Sequence, residues 1–441
     1  MKPHKTIVVL LALLLAAMAM VPIVSAEDDM AGTTVVPEVS DVAVSSDDMI
    51  SSNYVPVETA REHALTKMME FTKQGLMDDK WNGATVNPDP VVIYDLNGKK
   101  LFYQFAAEKD GKKTGEILTS ASKVLGVPVQ LISDPNTFDP TAIQITVKDL
   151  AGKDFDGFTV QSTKIVCYSY PKMGVMVRLV NVQTLEQKDE IYDANYLTII
   201  PQKMPTRDGE SGSWSYYQQI PENTYEERIT RWNTANNRMN DIKNKALSAG
   251  IDISNDLSGT SLQSLDQIVL VSTDGVFEYG ELPSGFPTID QGQAQWCQVA
   301  TAWVITKFYY PSNTRTLANI AATMQIPDIY TGADWDDELA YYTSDYLSGA
   351  SNGGLGMDDS YYRTTNPSLT YEKVRSEIDE YERPLKVGYN GHSRACIGYS
   401  RNPDGDTYYK FSNSQGGVIQ WEAAPNLYGS VTGYNDYIIV E

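Results

Sequence analysis

Cys297 stands in "DQGQAQWCQVATAWVITKFYYP", residues 290–311, at the head of a mostly apolar, helix-length stretch that Pro311 ends. The thiolate is the reactive form of cysteine, and the unpaired N–H groups of a helix N-terminus lower a thiol's pKa. All-round apolarity marks a central, buried helix, which would hold a first-turn cysteine rigidly. The plain alternative is a small core residue. A thiolate nucleophile needs a base or imidazolium partner. His392, in "GYNGHSRACIGYS", is the only histidine beyond His63 and lies at the start of an expected strand. A base in turn needs an orienting group. Asn413, in "KFSNSQGG", ends the next expected strand, where it is either that group or a turn residue; Asp404 or Asp406 is the fallback. Acyl transfer also needs donors for a developing oxyanion. Gln291, six residues before Cys297, is the candidate to act beside the Cys297 backbone N–H, with Gln293, Gln295 and Gln298 as competitors.

These stretches, in this order, resemble the papain-like cysteine peptidases. "DQGQAQWC" is similar to the nucleophile segment, where a Gln-Gly pair precedes the cysteine. "GHSRACIGY" is similar to the histidine strand, and "NSQG" to the family's Asn-Ser-Trp-Gly. The Trp before the cysteine is closer to the compact bacterial and archaeal branch, with its bacteriocin-leader peptidases and streptopain-like enzymes. The resemblance covers about residues 280–441. It implies Cys297 as nucleophile, His392 as base and acid, Asn413 as orienter and Gln291 as oxyanion donor. It implies no metal and no organic cofactor. Two positions depart from the pattern: Gln298 stands where papain has an aromatic residue, and Gln415 where the family has Trp.

The elements that would position these residues form an α+β pattern. "TRTLANIAATMQI", "DWDDELAYYTSDYL" and "SLTYEKVRSEIDEY" read as helices. "LKVGYN", "SRACIGYS", "TYYKFSN", "VIQWEA" and "YNDYIIVE" read as an antiparallel sheet. Cys396 shares a strand with His392 and reads as core. Before this domain, expected over residues 275–441, lies a second α+β region at 58–250. It opens with a helix announced by a capping box, Thr59 with Glu62, followed by Ala60, Ala64, Leu65, Met68, Met69 and Phe71 at helical spacing. His63 reads as an ordinary surface residue of that helix. "NG" and "DG" pairs then predict hairpins. "GFTVQSTKIVCYSY", "VMVRLVNV" and "YLTIIP" read as strands, with Cys167 in the core, and residues 224–249 as a charged helix stopped by Gly250. A polar linker sets the boundary between about 250 and 275.

The 441-residue chain suggests two or three domains, and its formal charge of −22 argues against nucleic acid as partner. Lys2 and Lys5, an apolar run, and "VSA" ending at Ala26 read as an export signal over residues 1–26. Residues 7–24 approach the ~18 that span a bilayer, so an uncleaved N-terminal anchor is the alternative. Residues 27–57 read as an acidic, flexible spacer. Three cysteines are no disulfide scaffold, and an odd count in an exported chain favours one free, reactive thiol. The resemblance thus implies a secreted or cell-surface cysteine peptidase acting on proteins or peptides, made as a precursor with residues 58–250 as propeptide, inhibitor or substrate-presenting region. A non-catalytic binding module of the same fold, and a Cys-His amidase or transglutaminase-type enzyme, are the rival expectations. Oligomeric state is left open.

Overall fold

The computed structural model describes residues 46–135, 139–205, 209–248, 277–292, 295–347, 352–364, 369–389, 391–402, 405–424 and 436–441. The expected export signal, the expected boundary at 250–275, Gly250, Gln293 and Asp404 lie outside them.

The last part of the expected spacer is helical: α1, Ser46–Ser52, carries Asp47 and Asp48 in its first turn, where a helix dipole favours them. Ile50 is buried, and its carbonyl accepts the Ser122 hydroxyl at 2.9 Å, which ties the segment down. The next helix, α2, spans Val57–Lys73 and begins ahead of the expected capping box, with Pro56 at the N-cap and no side-chain cap. His63 is not on the surface. It is 6% exposed, packs edge-on to Trp232 with ring centroids 5.2 Å apart, and bonds Asn236.

Strands β1 (Thr85–Val86), β2 (Val91–Tyr94), β3 (Lys100–Lys109), β4 (Lys112–Ser120) and β5 (Val129–Ser133) follow. Asp110 and Gly111 both take positive φ between β3 and β4, as the tight hairpin turn requires. Helix α3 (Pro140–Asp154) has Asp139 as its N-cap, accepting the Thr141 and Ala142 N–H groups. Strands β6 (Phe158–Ser169), β7 (Lys172–Asn181) and β8 (Gln187–Asp193) complete this part of the sheet. "YLTIIP" is not the strand its composition suggests. Asp193 accepts the backbone N–H groups of Asn195 and Tyr196 at 2.7 Å each, so the chain turns before the apolar run can extend. Helix α4, Tyr225–Ser248, then packs on α2.

Beyond β9 (Glu278–Glu281) come α5 (Cys297–Tyr309), α6 (Leu317–Thr323), α7 (Trp335–Thr343), β10 (Tyr361–Thr364) and α8 (Tyr371–Arg375). Strands β11 (Leu385–Tyr389), β12 (His392–Arg401), β13 (Thr407–Asn413), β14 (Val418–Ala423) and β15 (Asp436–Ile439) follow. The fold is α+β, with one sheet of order β10-β15-β11-β12-β13-β14-β5-β4-β3-β2-β6-β7-β8. Every pairing is antiparallel except β2 with β6, and β1 and β9 pair with β3 and β12 off this path. The described residues fall into one compact unit.

The two halves of the sheet join where β14 pairs with β5, Gln420 opposite Ser133, Trp421 opposite Ile132 and Glu422 opposite Leu131. Helix α2 covers this join. Phe71 packs on Trp421 and Tyr408, ring centroids 5.6 and 5.2 Å away, and the Trp421 indole donates to the Leu76 carbonyl at 3.2 Å. On the other side, α5 packs against β12 with Val299, Ala302, Val304 and Ile305 buried. Among the described residues no helix is long and apolar enough to cross a membrane.

Candidate functional site

Cys297 is the first residue of α5, and Trp296 is its N-cap. The strand β12 against which α5 packs begins with His392. Gly391 precedes it at φ +89°, a conformation that favours glycine. The Cys297 sulfur lies 4.0 Å from the Gly391 carbonyl oxygen. The end of β13 returns beside the start of β12, and there His392 Nε2 meets Asn413 Oδ1 at 2.7 Å. The same oxygen accepts the Gln415 N–H at 3.1 Å, which fixes which end of the Asn413 amide faces the imidazole. His392 Nε2 is therefore the protonated ring nitrogen. His392 Nδ1 is buried with no hydrogen-bond partner among the described residues.

Gln291 is held beside this group by the loop after Asn413. Its N–H donates to the Ser414 carbonyl at 3.0 Å, and its Oε1 accepts the Ser414 hydroxyl at 2.8 Å. Ser414 thus takes the acceptor end of the amide; the other end, Nε2, is the donor an oxyanion needs. The competitors behave differently. Gln298 has both ends committed: Oε1 accepts the Ala333 N–H at 2.7 Å, and Nε2 donates to Glu338 Oε2 at 2.8 Å. Glu338 in turn pairs with Lys386 at 3.1 Å, all three residues being buried. Gln298 therefore fastens the loop before α7 to α5. Gln295 donates its backbone N–H to the Ile329 carbonyl at 2.6 Å. Asp406 closes its own turn, its N–H donating to the Asn402 side-chain oxygen and its carboxylate accepting from the Asn402 amide, so Asn413, not Asp406, is the group at His392.

The other two thiols are packing groups. Cys396 is fully buried on β12, and burial pushes its thiol up to about 12. Burial pushes Cys167 up as well. None of the three cysteines is in a disulfide. Among the described residues no cluster of three or more His, Cys, Asp or Glu is placed to hold a metal ion.

The site is covered. Cys297 and His392 are both 0% exposed. Lys172, at the head of β7, donates to the Gly391 carbonyl at 2.9 Å, across 219 residues of sequence. The loop around residue 209 lies on the same spot. A Cβ on Gly391 would come within 2.8 Å of Pro205 and 3.0 Å of the Glu210 carbonyl. The turn at Asp193 is the third contact: Gln415 Nε2 approaches Asp193 Oδ2 at 3.5 Å, and the Tyr196 hydroxyl donates to Asp290 at 3.2 Å. Burial holds the His392 pKa well below its ordinary value. The Lys172 and Arg394 cations add to this, and the Asn413 bond opposes it. Sequence reasoning did not find Lys172, since nothing local distinguishes it from other strand lysines. Nor did it find Gln420, whose carbonyl accepts the Asn413 side-chain N–H at 3.0 Å.

No family model matches the chain, and no curated protein matches it. Two solved structures are similar in part, both crystal structures of the Amb a 11 cysteine protease, a major ragweed pollen allergen, in its proform. Each is 12% identical, covering 51% of this chain and 95% or 96% of its own, at TM-scores of 0.28 and 0.25.

Proposed function

We propose that the chain is an exported, papain-like cysteine peptidase, made as a precursor whose own N-terminal region covers the site. One observation carries the reading. A cysteine at the start of a buried helix sits beside the Gly391–His392 strand start, and Asn413 holds His392 by Nε2, leaving Nδ1 for a thiol. In the mechanism, the Cys297 thiolate adds to a peptide carbonyl carbon. The Cys297 N–H and Gln291 Nε2 receive the oxyanion, and His392 passes a proton from Nδ1 to the leaving amine. Water, deprotonated by the same nitrogen, then hydrolyses the thioester and releases Cys297. Protein or peptide substrates follow from this chemistry.

The precursor part rests on the cover. A neutral imidazole cannot hold a thiolate as an ion pair, and burial together with Lys172 keeps His392 neutral while the cover is on. A second reading, a binding module without chemistry, draws on the same closure, because both groups are fully buried. Labelling with a thiol-directed peptide inactivator separates the two. On incubation the chain is expected to cut itself, between about residues 200 and 280, and then to label at Cys297. Cys297→Ala is expected neither to cut nor to label. A chain that does not cut itself, and stays unlabelled in reducing buffer even after an added protease has removed the N-terminal region, would establish the binding module.

A further inference from the structure

His392, Asn413, Gln420, Glu422 and Arg394 form one buried polar chain, and each of the five is at most 4% exposed. Asn413 Nδ2 donates to Gln420 Oε1 at 3.0 Å. Gln420 Nε2 donates to Glu422 Oε1, and the same carboxylate oxygen pairs with Arg394. The Arg394 guanidinium lies over the Phe411 ring, 4.4 Å from its centroid. Gln420 and Glu422 share one face of β14, two residues apart.

We infer that Gln420 and Glu422, backed by Arg394, are positioning residues that set the tautomer of His392. A carboxylate paired with an arginine only accepts hydrogen bonds. It therefore takes the N–H end of the Gln420 amide and turns the carbonyl end toward Asn413. Asn413 must then donate with Nδ2, which leaves Oδ1 facing the imidazole. His392 must carry its proton on Nε2, and Nδ1 is left with a lone pair on the side away from Asn413. Three groups, Gln420, Asn413 and His392, have their polarity set by one charge that touches neither the cysteine nor the histidine. The Gln415 N–H on Oδ1 acts in the same sense from the other side, while Glu422 holds the N–H end of Gln420. Were the Gln420 amide reversed, its Nε2 would face Asn413 Nδ2, and two donors would oppose each other in a buried site. A site lacking an aromatic shield at Gln415 gains its fixed geometry from this side instead.

The consequence for turnover rests on the peptidase reading; the tautomer does not. The test uses the full chain with nitrogen-15 in its three histidines. His392 signals are identified by their loss in His392→Gln. The wild type is expected to show the proton on Nε2. Glu422→Gln substitutes an amide that can face either way, and the Nδ1-protonated form is expected to appear. The buried His63 signal in the same spectrum reports that the variant is folded. The double variant Gln420→Glu with Glu422→Gln puts an acceptor-only group directly opposite Asn413 and is expected to restore the wild-type tautomer. On the uncovered enzyme, Glu422→Gln is expected to lower kcat about tenfold with KM unchanged, well short of the ~10⁴ lost when a histidine's direct neighbour forces the wrong tautomer. An unchanged tautomer in Glu422→Gln with the His63 signal in place overturns the inference, as does a double variant that fails to restore it. A shifted tautomer in a chain that never labels at Cys297 would leave the inference standing and remove the peptidase reading alone.

Discussion

Among the described residues two histidines are buried, and both offer Nε2 to the side-chain oxygen of an asparagine. His63 on α2 meets Asn236 on α4 at 3.2 Å, and His392 meets Asn413 at 2.7 Å. Burial is the leading cause of a lowered pKa in both, and a lysine lowers each further, Lys67 for one and Lys172 for the other. The pairs part company in what surrounds them. His63 has the edge of Trp232 beside it, inside a helix–helix contact. His392 has the start of α5, with Cys297, across the Gly391 peptide, and an asparagine whose far end is linked through Gln420 to a carboxylate. A His–Asn bond is thus common ground for packing and for chemistry. The neighbouring thiol and the fixed polarity make the difference.

The sharpest way to break that comparison is to delete each ring in turn. With the covering region removed by an added protease, His392→Ala is expected to lower the rate of peptide hydrolysis by on the order of 10³-fold or more, since a nucleophile without its base keeps only what binding and the oxyanion donors supply. His63→Ala is expected to leave the rate per labelled Cys297 within about twofold, because its ring touches no part of the site. The His63→Ala rate is measured against active sites counted with the inactivator, and the His392→Ala rate against the amount of cut protein. Equal losses would show that the two pairs are not functionally distinct.

The next effect is on stability. His63 sits at about 4 in the folded chain, below the ~6.5 of an unfolded histidine. The fold therefore favours the neutral ring. The stability tied to it is complete above pH ~6.5 and is lost as pH falls toward about 4, roughly 3 kcal/mol in all. Urea unfolding of wild type and His63→Gln at pH 7 and pH 4 is expected to show a steeper acid loss in the wild type by about that amount. His392 contributes in the same direction in both proteins, so the difference isolates His63. Identical acid losses would mean that His63 is not charged on unfolding alone.

How far such residues could be read from sequence follows from how local their signals are. Cys297 at a helix start, the strand opening at His392 and Asn413 ending the next strand were legible, because each is marked by neighbouring residues: Pro311, Gly391 and the glycines after Gln415. The burial of His63 carried a signal too, since positions 60, 63, 64, 68 and 71 form one helical stripe. Gln420 and Glu422 alternate with Trp421, so a buried polar face of β14 could have been suspected. The pairing of β14 with β5 had no local mark. It brings together residues nearly 300 positions apart, and strand order is set by packing between distant segments. The same holds for Lys172 and the loop around residue 209, which reach Gly391 only through the completed sheet. Gln298 looked like a departure until the loop at Ala333 gave it two partners.

The two lysines supply the finest test. Lys67 is occupied by Glu70 at 2.6 Å, on its own helix, and contributes only a field at His63. Lys172 is a buried cation whose ammonium donates to the backbone carbonyl that also lies 4.0 Å from the Cys297 sulfur. Removing it takes away one fastening of the cover and one cause of the depressed His392 pKa. Both losses favour a thiolate that reagents can reach. A hydrogen bond to a charged group contributes about 1.5–3 kcal/mol, so Lys172→Met is expected to speed iodoacetamide labelling of Cys297 in the uncut chain on the order of tenfold. Its labelling should also persist to lower pH than in the wild type. Lys67→Met should leave labelling unchanged while loosening α2. If Lys172→Met labels no faster than wild type, the β7 lysine is a buried strut. The cover would then be held by the Asp193 turn and the loop around residue 209 alone.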